Sequence, residues 1–347
     1  MSSLIKLALI PFALLVTWTS FAYLDLRSSD GNTDLLQEGT SVLYESCNNV
    51  PIHCGAYPKL NECIDGARSS PLEKTILFGN SQLHAVNNIS ENSELVALRL
   101  FKSSLQRNEY ALTISYGNAN FEEIFWALNQ VLSSIEPKRI YLASVFDDMR
   151  EVGLRPDMLE EVNDENGFQQ KEVGQKRNYF PGIDFQGISE EAIQRFFTDS
   201  PSWNTRHELK YRINVNLRSL RNKIFGITPE TKRKVLPFAY ERNMKYLSNI
   251  LSTAKRNNIE VIIYIAPILQ ETNIPYVKDE YLKFKKDIKE ISELYEAKYF
   301  NFEKIVPNQA WGLKQSTQLN SKLEKDYMHF TETGHEILAN KLVETLN

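Results

Sequence analysis

From about residue 74 onward, short apolar runs alternate with amphipathic stretches, and this alternation is the strongest structural signal in the chain. The run Thr75-Ile76-Leu77-Phe78 reads as a buried strand, residues 94–105 as a helix, and residues 110–116 as a second strand. Over 120–135 the apolar residues Phe121, Ile124, Phe125, Leu128, Val131 and Leu132 recur at helical spacing. Residues 139–145 read as a third strand. After Met149 the alternation lapses, and it resumes near Ala239. The stretch between is polar, carries scattered aromatics and is interrupted by Pro156, Pro181, Pro201, Pro229 and Pro237. It predicts an insertion at about 150–239 with short helices, for example over 190–197 and 210–223. Beyond it, 240–257 reads as helix, 260–266 as a strand rich in Ile and Val, 279–297 as helix, 298–302 as a short strand and 331–346 as a closing helix. Strands alternating with helices predict an α/β fold, a three-layer sandwich with a parallel sheet covered on both faces. Ligands of such sheets sit beyond the carboxyl ends of the strands. Ser81, Gly117 and Asp147 fall there.

The front of the chain has a different pattern. Lys6 precedes an apolar stretch, 7–23, that holds scattered Thr and Ser and no charge before Asp25. It is slightly short of the roughly 20 residues of a full membrane span. Ser20-Phe21-Ala22 offers a small-x-small cleavage site. Residues 1–26 are therefore expected to be a signal anchor or a signal peptide. A basic residue ahead of the apolar run places the remainder of the chain outside the cytoplasm. Residues 27–73 are rich in Ser, Asn, Gly and Asp and show little periodicity, so they are expected to form an irregular linker before a catalytic domain at 74–347. All 3 cysteines, Cys47, Cys54 and Cys63, lie in this linker. In an oxidising compartment two of them are expected to pair, and spacing does not choose the pair. A zinc site is the rival, but the spacings match no common zinc pattern and a fourth cysteine is absent.

Composition narrows the function classes only slightly. A formal charge of -4 lacks the basic excess of a nucleic-acid binder. The 16 Tyr and 18 Phe supply a sizeable core, and aromatic surfaces suited to a sugar or an acyl chain.

The chemistry concentrates at a few positions. Ser81 follows a strand in Gly79-Asn80-Ser81-Gln82, where its hydroxyl would project above the sheet edge and free backbone N–H groups would face a developing oxyanion. The competing role for Ser81 is a helix cap. Near the C-terminus, Asp326 and His329 stand three residues apart just before a helix. Together with Ser81 they name a nucleophile, a base and the carboxylate that orients it. The competing roles are a solvated charge for Asp326, beside Lys322, Glu324 and Lys325, and a loop imidazole for His329. His335 reads as a structural or packing residue, because it lacks an acid at the right offset. Gly117, Asn118 and Asn120 follow the second strand and are candidate oxyanion or substrate-binding donors, with helix capping the competing role for Asn120. Of the adjacent Asp147 and Asp148, at most one can face the site. His84 reads as a partly buried helix residue. No metal or cofactor is called for by these residues.

These motifs resemble the SGNH hydrolase superfamily, the GDSL-like lipases and acylhydrolases, over roughly 74–347 apart from the insertion. The resemblance implies a flavodoxin-like fold, with Ser81 as nucleophile, Gly117 as a backbone oxyanion donor, and Asp326 and His329 as the acid and base of the Asp-x-x-His block. Two blocks depart from the pattern. Asn80 stands where the family has Asp, and Ser144-Val145-Phe146-Asp147-Asp148 lacks the Asn of the third block, which leaves the third oxyanion donor open. An anchored, extracytoplasmic member with a long insertion looks like the polysaccharide O-acyltransferase branch. That likeness implies an acylated glycan or small ester as substrate and a multispanning membrane acyltransferase as partner. Tyr179, Phe180, Phe185, Phe196, Phe197 and Trp203 would then stack on sugar rings or pack the insertion's own core. The other class of function is a catalytically impaired tethered partner that binds a glycan or a membrane acyltransferase.

Overall fold

Seven consecutive residues, Glu73–Gly79, form a strand whose Ile76, Leu77 and Phe78 are wholly inaccessible to water. A run apolar on both faces suits a strand covered by helices on either side. The computed structural model describes residues 46–85, 93–155, 158, 224, 226, 231–271, 274–315 and 323–346. In chain order the strands are β1 (Ser46–Cys47), β2 (Val50–Pro51), β3 (His53–Cys54), β4 (Glu73–Gly79), β5 (Glu109–Ser115), β6 (Pro137–Ser144), β7 (Glu260–Ile265), β8 (Lys298–Asn301), β9 (Trp311–Gln315) and β10 (Leu323–Phe330). The α-helices are α1 (Leu60–Ser69), α2 (Val96–Leu105), α3 (Phe121–Ser134), α4 (Pro237–Arg256), α5 (Lys278–Leu294) and α6 (Glu332–Glu344).

The main sheet has the order β3-β5-β4-β6-β7-β8, and every pair in it is parallel. Counted from β4, its last five strands run 2-1-3-4-5, the flavodoxin-like order of doubly wound α/β proteins. This is the fold class that the resemblance implies. Side chains alternate between two cores. Ile76, Phe78, Ile140, Leu142 and Ile263 pack with α1, α3, α4 and α5 on one face. Leu77, Tyr141, Ile262 and Tyr264 pack with Val96 and Leu100 of α2 and with Leu338 and Leu342 of α6 on the other.

Two departures from the sequence reading concern the front and the back of the domain. Residues 46–71, expected as irregular linker, contain a strand and a helix that belong to the core. β3 extends the sheet beyond β5, and α1 buries Leu60, Cys63, Ile64 and Ala67, one stripe at helical spacing. Each of the larger buried chains is worth roughly 1.5–3 kcal/mol of transfer free energy. Cys54 and Cys63 form a disulfide across the β3–α1 connection, and Cys47 is free. At the back, Asp326 and His329 stand not in a plain loop but within β10, which pairs antiparallel with β9 and bulges between Lys325 and Phe330. The bulge re-aims side chains that strict alternation would place on opposite faces.

The expected N-terminal segment at 1–26, the short helices of the insertion and its aromatic residues lie outside the described residues. Among the described residues no helix is long and apolar enough to cross a membrane.

Candidate active site

β4 delivers Ser81 to the carboxyl edge of the sheet. Gly79, its last residue, is closely packed rather than held at an unusual dihedral angle: a Cβ there would press on the end of the Leu83 side chain. Asn80 then caps a single 3-10 turn, Ser81–Leu83, by accepting from the Gln82 backbone N–H at 2.9 Å. Ser81 is thus the first residue of a short turn, and it is half-buried rather than capping an α-helix. The Asn80 amide donates to Asp148 Oδ2 at 2.6 Å, which ties the turn to the loop after β6.

The β10 bulge supplies the facing groups. His329 Nε2 lies 2.9 Å from Ser81 Oγ, and His329 Nδ1 lies 2.7 Å from Asp326 Oδ2. Asp326 is 2% exposed, so it is no solvated surface charge. Its other oxygen accepts from the backbone N–H groups of Met328 and His329 at 2.9 and 3.2 Å. A carboxylate accepts only, so Nδ1 carries the proton and Nε2 presents its lone pair to the serine hydroxyl. Phe330, next in the strand, is fixed between the rings of Trp311 and His335 at 5.2 and 5.1 Å, which holds the bulge on α6.

Of the three candidate oxyanion residues, Gly117 and Asn118 are exposed in the loop after β5, and Asn120 is engaged elsewhere. Gly117 is exposed and a Cβ built on it would meet nothing within 4 Å, so its backbone borders open space. Neither its N–H nor that of Ser81 is donated to a partner among the described residues. Asn118 is exposed and takes the left-handed φ of 53° that Asn tolerates. Asn120 is not a donor to substrate. It is buried, its Oδ1 accepts from the Glu123 N–H at 3.1 Å in a capping box with Glu123, and its amide donates to the Gly153 carbonyl at 2.9 Å. Helix capping at the start of α3 takes up the side chain that a substrate would need. The loop is backed by Arg155, which is held by Glu123, lies 4.7 Å over the Tyr116 ring and donates to the Gly117 carbonyl at 3.3 Å.

The stretch after β6 supplies no third donor. Asp147 Oδ2 accepts from Arg233 and from the Tyr276 hydroxyl, and the side chain carries no N–H to offer an oxyanion. Asp148 is buried against Asn80, and desolvation raises its carboxyl well above the usual range. Arg150 pairs with Asp147 at 3.7 Å.

Sequence reasoning missed the packing behind the site. His53 Nε2 and His84 Nε2 contact Ser115 Oγ at 2.6 and 2.8 Å, and His84 Nε2 also reaches the Ser115 carbonyl at 3.2 Å. A carbonyl only accepts, so His84 Nε2 bears the proton and the Ser115 hydroxyl donates onward to His53. His84 closes the 3-10 turn and is buried rather than sitting on an α-helix. Burial lowers His84 to about 4, opposed by the Ser115 carbonyl, and lowers His335 to about 3. His53 is lowered well below the ordinary value, again chiefly by burial. Three neutral imidazoles thus pack behind the reactive one. The sequence carried little signal for this cluster, because His53 lies in the stretch that reads as linker. Among the described residues no group of three or more metal-ligating side chains gathers.

No family model matches the chain, and no curated protein matches it. Among solved structures it is similar to a catalytic mutant of an acetylxylan esterase from Geobacillus stearothermophilus, with 8% identity, a TM-score of 0.40 and coverage of 78% of this chain and 93% of that one. It is also similar to a GDSL-like lipase from Bacteroides thetaiotaomicron, with 10% identity, a TM-score of 0.39 and coverage of 84% and 100%. The activities in those names are properties of those proteins. The assignment of roles in this chain rests on its own geometry.

Proposed function

We propose that this chain is an extracytoplasmic serine enzyme of acyl-ester chemistry, acting on acylated cell-surface or secreted glycans through an acyl-enzyme. The single observation that carries the reading is the continuous relay from Ser81 Oγ through His329 to Asp326, at 2.9 and 2.7 Å. Ser81 Oγ attacks the ester carbonyl carbon while its proton passes to His329 Nε2, and Asp326 stabilises the imidazolium. The carbonyl oxygen, now negative, is met by the N–H groups of Ser81 and Gly117. Collapse breaks the bond to the leaving alcohol, which takes the proton from Nε2 and departs, leaving Ser81 acylated. A second hydroxyl, from water or from a sugar, attacks the acyl carbon as His329 takes its proton; the bond from that carbon to Ser81 Oγ then breaks, and the proton returns to Oγ. Water makes the enzyme an esterase; a sugar hydroxyl makes it an O-acyltransferase, with a membrane acyltransferase as the supplier of acyl groups. The extracytoplasmic placement is supported by the apolar stretch at 7–23 and by the Cys54–Cys63 disulfide, since disulfides persist in oxidising compartments.

The test uses the chain from residue 27 onward, purified and oxidised, with p-nitrophenyl acetate. Ser81→Ala is expected to lower kcat by more than about 10⁴-fold with unchanged thermal stability. Equal rates for the two proteins would replace this reading with that of a tethered binding partner. With activity in hand, an oligosaccharide acceptor separates the two outcomes: acetylated sugar marks transfer, free acetate alone marks hydrolysis.

A further inference from the structure

Resting on that reading, we infer that Gln82, the residue after the nucleophile, is a positioning residue that holds the base strand against the serine turn. Gln82 is 1% exposed. Its side-chain nitrogen donates to the Met328 carbonyl at 2.8 Å and to the Pro267 carbonyl at 2.9 Å, partners 246 and 185 residues away in the chain. Two carbonyls are acceptors only, so the amide orientation is settled: both hydrogens of Nε2 are donated and Oε1 faces away.

The geometry forms two adjacent rungs between the turn after β4 and β10. One is Ser81 Oγ to His329 Nε2 at 2.9 Å, and the next is Gln82 Nε2 to the Met328 carbonyl at 2.8 Å. Met328 immediately precedes His329, so the second rung fixes the backbone from which the imidazole projects. Pro267 extends the clamp to the loop after β7, which is itself joined to β10 by the Leu269 N–H donating to the Tyr327 carbonyl at 3.3 Å. Asp326 and His329 hold each other within one bulge, and that bond does not reach the turn that carries Ser81.

Gln82 Oε1 is buried and makes no hydrogen bond among the described residues. Leaving a buried amide oxygen unsatisfied is unfavourable. A position kept for packing alone is served better by an apolar side chain of the same length. The favourable part of what the amide does is therefore what its nitrogen reaches.

Gln82→Met keeps the length and removes both donors. Because the Asp326–His329 pair is internal to the bulge, the variant is expected to lose about 10²-fold in kcat for p-nitrophenyl acetate, with KM and the pH midpoint of kcat/KM unchanged. Asp326→Asn, which acts on the imidazole directly, moves that midpoint. Gln82→Met is also expected to slow the labelling of Ser81 by a fluorophosphonate by a similar factor. A wild-type kcat in a folded Gln82→Met overturns the inference, and so does a shifted midpoint with the loss. If Gln82→Met does not fold, the wild-type chain decides: the two Gln82 side-chain amide protons, followed by NMR in D₂O, are expected to exchange far more slowly than those of exposed glutamines, and rapid exchange rejects the clamp. Failure of the underlying reading looks different. In that case wild-type Ser81 is not labelled by the fluorophosphonate, and Ser81→Ala is as active as the wild type.

Discussion

At the amino ends of the sheet's strands, charged groups meet in a closed ladder. Glu109 accepts from Thr75, Arg139 and Lys138, Arg139 also donates to Glu260, and Glu260 pairs with Lys298. At the carboxyl ends of the same strands the buried polar atoms are left with fewer partners: His53 Nδ1, His84 Nδ1, Gln82 Oε1 and Ser144 Oγ make no hydrogen bond among the described residues. One edge satisfies its polar groups and serves stability. The other holds unsatisfied groups around Ser81, the proposed nucleophile, and the core beneath it must compensate. Strand direction alone separates the two, because the loops that vary in an α/β fold gather at the carboxyl edge.

The contrast breaks first, if it is wrong, at Arg139. Arg139→Met removes two charge-assisted hydrogen bonds, one to Glu109, which keeps Lys138 and Thr75, and one to Glu260, and is expected to lower stability by about 3–5 kcal/mol in urea unfolding. The proposed activity on p-nitrophenyl acetate, per folded molecule, should stay unchanged; a parallel loss of kcat would mean that the two edges are coupled. A smaller effect comes from the carboxyl edge. His84 has a folded value of about 4, below its ordinary 6.5. The fold therefore favours the neutral ring, so its contribution is complete above pH 6.5 and is lost as pH falls toward 4. That loss is worth roughly 3 kcal/mol. His84→Gln should flatten this acid limb in thermal melts between about pH 7 and 4, and an unchanged limb counts against the buried neutral imidazole. The smallest effect belongs to Asp148. Its carboxyl is raised by burial, so the wild-type fold loses stability as pH rises from the ordinary aspartate value through the raised one. Asp148→Asn lacks that loss and keeps a partner for Asn80. It should gain stability near neutral pH, with the gain shrinking on acidification, as urea unfolding at about pH 7 and about pH 4 would show. A destabilised variant at neutral pH would show that the charge itself is needed.

Much of this chain was legible before folding. The alternation of apolar runs and amphipathic stretches found every strand of the central sheet from β4 to β8 and every helix from α2 to α6, to within a few residues. Periodicity reports burial directly, and a doubly covered sheet makes that signal strong. The same cue failed where elements were short. β3 has two residues and α1 has ten, and both sit in a stretch whose Ser, Asn and Gly content reads as linker. Their burial comes from docking on β5 and α3, and the disulfide partner of Cys63 was fixed by that docking, not by spacing. The β9–β10 pairing was equally hidden, because a hairpin's register depends on which strands meet and not on local preference.

By itself the order of residues determined the fold class, the turn with Ser81 after the first long strand and an Asp and a His three positions apart, since each is a local property of backbone preference or side-chain chemistry. Only the tertiary structure decided that Ser81 and His329, 248 residues apart, stand at 2.9 Å, that Asn120 caps α3 instead of facing the site, and that Gln82 reaches across to Met328. Hydrogen bonds and pKa values depend on what lies within a few ångströms in space, and distance along the chain carries almost none of that information.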